Sequence, residues 1–181
     1  MSDCCKRSPM GAVLPPRMKG KDPMRDRRWA TLIALRPAHA QDFDYCASLY
    51  FAGMEEVIRK LSLDMDAQTA SFRRQWVSTE VRIITLDGAD IGWLQSTVRD
   101  GALFLAQLFV DAVHQRQGIG TEILNRIGEE ATRAGQAITL GVVKTNPALR
   151  LYERLGFRIT HEDDRKFYMR CEAGSAVPRP N

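Results

Sequence analysis

Apolar and polar positions change rhythm repeatedly along the chain, and each change of period predicts a new element. From Trp29 the run Trp-Ala-Thr-Leu-Ile-Ala-Leu-Arg-Pro is β-rich and predicts a first strand, closed by Pro37 because proline cannot donate to a ladder. Over residues 38–54 the spacing turns helical, with Phe43, Cys46, Ala47, Leu49 and Tyr50 recurring on one face. A second helix is predicted over 68–77, after a polar link. Apolar runs over 81–86, 91–98 and 102–110 then read as three strands. The breaks between them, Asp87-Gly-Ala-Asp90 and Arg99-Asp-Gly101, are hairpin signals, so the three strands form an antiparallel meander.

The last third differs in kind. Gly118 and Gly120 open a helix running to about residue 134, residues 137–143 read as a buried strand, and 147–155 as a short helix. A strand, a crossover helix and another strand imply a parallel pair. Two final strands, over 157–161 and 166–171, flank the polar turn 162–165. No internal repeat or second domain is legible. The order predicts one mixed α/β domain over residues 29–172, with a mostly antiparallel sheet, between a tail at 1–28 and a short tail at 173–181.

Composition adds little to that picture until it is split by position. The chain of 181 residues is 44% hydrophobic and 27% charged, which suits one globular domain. Its formal net charge of +4 comes from the first 28 residues, where eight Lys/Arg stand against three Asp/Glu; the remainder holds eighteen against nineteen. The basicity therefore belongs to a Pro- and Met-containing tail expected to be disordered, and nucleic acid is not an expected partner. Cys4, Cys5, Cys46 and Cys171 lack zinc-ligand spacing, so neither a metal nor a disulfide is expected. No apolar run reaches the length of a membrane span and no secretory leader is legible, so a cytoplasmic protein with no membrane association is expected.

The candidate chemistry lies where a strand meets the glycine-opened helix, over 103–121. A helix start presents unpaired N–H groups and the positive end of its dipole, which suits a pyrophosphate. Gly118 and Gly120 permit close approach, and Arg116 adds a cation. A Rossmann turn would need glycine where Ile123 stands, and a P-loop needs Gly-Lys-Ser/Thr, absent here. A tight strand-to-helix turn without ligand would use the same glycines.

Gln115-x-x-Gly118-x-Gly120 after an apolar strand resembles the Arg/Gln-x-x-Gly-x-Gly/Ala signature of the GNAT acetyltransferases, and Asn146-Pro-Ala-Leu-Arg-Leu-Tyr152-Glu-Arg-Leu-Gly156-Phe157 is similar to that family's later segment. The resemblance implies a GNAT-like domain with helices on both faces of a twisted sheet, whose parallel central pair splays at an acetyl-CoA site. It assigns acetyl-CoA to the backbone of Leu108, Phe109 and Val110, to the loop and helix start Gln115, Arg116, Gln117, Gly118, Ile119, Gly120 and Thr121, and to Asn146 and Tyr152. The Leu108 N–H would stabilise charge on the thioester oxygen, and Tyr152 would protonate the departing sulfur. Two alternatives stay open: Asn146 also suits a helix cap, and Tyr152 a packing aromatic.

The position where many relatives carry a carboxylate base holds Gln107, which cannot act as one. His114 is expected at the surface. For the acceptor, the resemblance points to the first two helices and the facing strands, hence Tyr45, Tyr50, Met54, Glu55, Glu56, Trp93, Gln95 and Gln107. Trp93 and Gln95 alternate onto one strand face, although a buried Trp93 and a solvated Glu55-Glu56 pair are the plain alternatives. The implied reaction is acetyl transfer to a primary amine of a small molecule or peptide by direct attack. The rival readings are a non-catalytic acyl-CoA sensor and an enzyme acting on a protein N-terminus or lysine. Relatives that pair through terminal strands also imply a homodimer.

Overall fold

A computed structural model of the protein describes residues 32–60 and 62–175. The expected tail at 1–28 with Cys4 and Cys5, the start of the first strand at 29–31, and residues 176–181 lie outside the described residues.

Among the described residues seven strands form one sheet: β1 (Ile33–Pro37), β2 (Val81–Leu86), β3 (Ala89–Arg99), β4 (Ala102–Val110), β5 (Ile138–Val143), β6 (Arg158–Glu162) and β7 (Lys166–Cys171), in the order β1-β2-β3-β4-β5-β7-β6. The pair β4–β5 is parallel and every other neighbouring pair antiparallel. The meander β2–β3–β4 turns at Asp87-Gly88 and Asp100-Gly101, all four at positive φ, the geometry that tight Asp-Gly turns adopt.

Four α-helices among the described residues flank the sheet: α1 (Phe43–Lys60), α2 (Met65–Gln75), α3 (Ile119–Arg133) and α4 (Leu149–Arg154). The first helix begins with a 3-10 turn at Ala40–Asp42 and runs six residues past the expected end at 54. Arg59 and Lys60 in its last turn suit the dipole, and Lys60 pairs with Glu56 at 2.7 Å. The second helix starts before the expected residue 68, because Asp64 caps it by accepting from the Ala67 N–H at 2.7 Å. Among the described residues no helix is long and apolar enough to cross a membrane.

The sheet has an apolar core on each face. Ile84, Ile91, Leu94 and Leu105 pack against Ile119, Ile123 and Ile127 of α3 on one side. On the other, Cys46 and Phe72 of α1 and α2 cover Val81, Ile83 and Trp93. This second core is aromatic: Trp93 stacks on Phe109 with centroids 5.3 Å apart and meets the Phe72 ring edge-on at 6.0 Å. Cys46 and Cys171 are free and buried.

Candidate active site

The parallel pair opens after three residue pairs. β4 and β5 match at Leu103↔Ile138, Phe104↔Thr139 and Leu105↔Leu140, and nowhere beyond. β4 nevertheless stays paired with β3 as far as Gly92↔Val110, and β5 with β7 as far as Val143↔Lys166. Two strand edges, 106–110 and 141–143, therefore face each other without a ladder.

A bulge in β4 sets the direction of its backbone at this gap. Gln95 pairs with Gln107 and Ser96 with Leu105, which leaves Ala106 as an extra residue. Before the bulge, the Leu103 N–H donates toward β5, to the Ala137 carbonyl at 2.8 Å; after it, the Asp111 N–H donates toward β3, to Ile91 at 2.8 Å. Both residues are odd-numbered, so strand alternation changes phase between them. The N–H groups of Leu108 and Val110 consequently point into the gap. The same phase change puts Ala106 and Gln107 together on the α2 side, while Leu108 and Val110 pack with the α3-side core.

At the end of β4 the chain is tied down by its own side chains. Asp111 accepts from the Val113 N–H at 3.3 Å, Gln115 Nε2 donates to the Val110 carbonyl at 2.8 Å, and Gln117 Nε2 to the Val113 carbonyl at 2.8 Å. Arg116 and Gly118 take positive φ of 59° and 88°, which turns the loop into α3. Gly118 caps α3 without a side chain, and the first main-chain donor to reach back to it is Glu122, at 3.0 Å. The N–H groups of Ile119, Gly120 and Thr121 thus project from the helix start. Arg116 and Gln117 are exposed, Ile119 is buried, and a Cβ added at Gly120 would meet only Leu151 Cδ2, at 3.5 Å. His114, expected at the surface, is half-buried, and its shielded Nδ1 has no partner among the described residues.

Tyr152, on α4, joins the group of half-buried side chains that includes Leu108 and Val110. It meets Phe157 edge-on at 5.6 Å, and burial pushes its phenol up to about 12, so the hydroxyl keeps its proton at any physiological pH. Asn146 accepts the Ala148 N–H at 2.8 Å and so braces the turn before α4, which begins two residues later than expected.

On the α2 side of the gap lies a cleft of about 490 Å³. Arg74 and Gln75 of α2, Glu80, and Gln95 and Arg99 of β3 form one wall. Phe104, Ala106 and Gln107 of β4 contribute the floor, and Gly141, Lys166 and Tyr168 the far side. Gln95 is fixed by two donations from its Nε2, to the Gln75 carbonyl at 2.8 Å and to Glu80 Oε2 at 3.0 Å. Of the acceptor residues expected from sequence, Gln95 and Gln107 line this cleft. Trp93 is fully buried beneath it, Tyr50 packs against Phe72 and Phe109, and Glu55 is exposed on α1. Sequence reading missed Arg74, Glu80, Arg99, Lys166 and Tyr168, which carry no motif and meet only through strand pairing.

A mixed sheet that splits at its one parallel pair, with a helix start at the end of the splayed strand, defines a class. Residues 77–159 match the acetyltransferase (GNAT) domain. The fold is similar to that of a PaiA N-acetyltransferase from Thermoplasma acidophilum solved with coenzyme A, at 14% identity and TM-score 0.65, over 77% of this chain and 98% of that one. It is also similar to an N-acetyltransferase from Staphylococcus aureus Mu50, at 15% identity and TM-score 0.60, over 76% and 99%. A third likeness is to N-acetylglutamate synthase from Neisseria gonorrhoeae, solved with coenzyme A and N-acetyl-glutamate, at 16% identity and TM-score 0.55, over 78% of this chain and 35% of that one. No curated protein matches the chain in sequence. Residues 77–159 thus carry the match to the acetyltransferase (GNAT) domain, and the fold around them is the one those solved acetyltransferases share.

Proposed function

We propose that the protein transfers an acetyl group from acetyl-CoA to a primary amine, with both substrates bound at once and the amine attacking directly. The observation that carries this reading is the gap between β4 and β5. Its free N–H groups at Leu108 and Val110 lie on the same strand that leads into the open start of α3. A pantetheine-like arm satisfies such an unpaired edge, and a diphosphate satisfies the N–H groups of Ile119, Gly120 and Thr121. The open space beside Gly120 fits a ligand that needs backbone contact.

Acetyl-CoA would supply an activated thioester. The protein's own part is to hold and polarise. The Leu108 N–H is the donor for negative charge that builds on the carbonyl oxygen, a type of stabilisation that costs little reorganisation because the donor is fixed by the strand. Tyr152 holds a proton for the sulfur. Since its phenol is a weaker acid than a thiol, it acts by donating a hydrogen bond to the sulfur as negative charge develops there, and the thiolate leaves without taking the phenol proton. Gln107 orients the amine or a water. Glu80 is the carboxylate in the cleft and takes the amine proton through water. Asn146 is committed to its turn by its side-chain oxygen, which leaves its amide nitrogen for the cosubstrate.

The test is release of CoA thiol from acetyl-CoA in the presence of an amine panel, alongside calorimetric titration with CoA. Saturable CoA binding and amine-dependent release are expected. Binding without amine-dependent release would point to a sensor, and no binding at millimolar CoA would remove the reading altogether.

A further inference from the structure

We infer that the acceptor carries a carboxylate in addition to its amine, and that Arg74, Arg99 and Lys166 receive it; this rests on the acetyltransferase reading above. The charged side chains lining the cleft are these three cations and Glu80. Nothing in the bulk composition foreshadows that excess, because residues 29–181 hold eighteen basic against nineteen acidic side chains. Three cations against one carboxylate make the lining of the cleft positive.

Elsewhere on the domain some basic side chains are paired, while others spread over the surface, such as Arg116, Arg150 and Arg158, form no ion pair among the described residues. Arg36, Lys60, Arg82, Lys144 and Arg170 all form ion pairs at 2.6 to 3.3 Å. Among the described residues Arg74, Arg99 and Lys166 form none. Arg99 is instead laid over the Phe104 ring, its guanidinium 4.5 Å from the centroid, which fixes its place and leaves its charge uncompensated. Glu80 has one oxygen engaged by Gln95, and Asp163, near Lys166 in sequence, has its oxygens occupied by two backbone N–H groups and the Tyr168 hydroxyl. Three like charges around one concavity repel one another, and an anion relieves that repulsion. A polycationic amine adds to it, so the same charges act against polyamines.

The register orders the cleft. Lys166 stands opposite Val143 at the open end of the splay, level with the thioester donor region, whereas Arg99 pairs with Ala102 at the closed end. Arg74 borders the space from α2. Gly141 lines the far side beside the Tyr168 ring, which a Cβ there would meet at 3.5 Å, ordinary contact distance. An amine directed at the gap therefore has its carboxylate in the stretch between Lys166 and Arg99.

The experiment compares acceptors that differ only in charge: glutamate against its bis-amide, an acidic tripeptide against its fully amidated form, and spermidine. Each is assayed for CoA release at two salt concentrations. The carboxylates are expected to exceed their amides by about tenfold or more in kcat/KM, to lose that advantage as salt rises, and to exceed spermidine. The glutamate and tripeptide arms distinguish a free amino acid from a peptide as the source of the carboxylate. In Arg74→Gln and Lys166→Gln the carboxylate-to-amide ratio should fall toward one. A separate readout needs no turnover: glutarate titrated into CoA-saturated protein should bind, and bind at least several-fold more weakly to Lys166→Gln. Equal rates for carboxylates and amides, insensitive to salt, or no glutarate binding would overturn the inference. Absence of CoA release from every amine, with glutarate bound, would instead overturn the acetyltransferase reading and keep the anion site.

Discussion

Gly53 of α1 rests against Phe109 of β4 so closely that a Cβ at position 53 would come within 2.8 Å of the ring's Cε1. The ring cannot easily yield, because it is stacked on Trp93 at 5.3 Å and met by Tyr50 at 5.5 Å. Phe109 lies between Leu108 and Val110, so this contact holds down the strand segment whose N–H groups face the gap.

Gly53→Ala is therefore expected to destabilise the protein, by about 1–3 kcal/mol as for an overpacked core, although alanine is the better helix former. Urea unfolding of the variant measures the loss. Unchanged or raised stability would mean that α1 can move away from β4 without cost.

The two glycines at the start of α3 should separate in their effects. Gly118→Ala places a side chain at φ 88° and should cost about 1–2 kcal/mol of stability. Gly120→Ala meets only Leu151 at ordinary contact distance, and alanine favours the helix, so thermal stability should hold or rise slightly. CoA affinity in Gly120→Ala should nevertheless fall by about tenfold, as measured by calorimetry, because the added methyl group occupies the space beside the helix-start N–H groups.

Tyr152→Phe should lower kcat with little change in acetyl-CoA affinity, the signature of an interaction made as the bond breaks. Because burial holds the phenol at about 12, Tyr152 should introduce no alkaline fall in rate below about pH 10. Steady-state kinetics over pH 6–10 test both points, and wild-type turnover in the variant would end its assignment.

The Asp42 carboxylate accepts Arg36 Nη1 and Nη2 at 2.9 and 3.0 Å and the His39 N–H at 2.7 Å, and these bonds, that from Arg36 first, hold it at about 2. A lowered folded-state pKa stabilises the fold fully above the ordinary carboxylate value near 4, and that contribution is lost as pH falls through about 2. Since Arg36 is one-third exposed, the contribution is roughly 1 kcal/mol. The stability gap between wild type and Asp42→Asn should thus persist from pH 7 to about 4 and close between 4 and 2 in urea melts.

Element order and type were open to reading in the residues because they depend on local period and local turn chemistry. The Asp-Gly breaks predict the meander, and the strand, glycine-opened helix and strand predict the parallel pair. Helix ends were less legible: Asp64 as a cap, and the brace from Asn146, shift boundaries by two or three residues. The bulge had one local signal. In Leu103-Phe-Leu-Ala-Gln-Leu-Phe-Val the apolar alternation that faces α3 would bury Gln107, and it resumes instead at Leu108.

Local residue order encodes the set of elements, the glycine-opened turn into α3 and the motif residues on either side of the splay, since each is written within a dozen neighbouring positions. Three-dimensional packing makes Trp93 core and not a ligand wall, and sets the cleft at the end of α2, with Glu55 outside its lining. It also makes Arg74, Glu80, Arg99, Gln107 and Lys166 converge. These residues span some ninety positions and meet through the pairing of β3 with β4 and β5 with β7, a relation that no local period encodes.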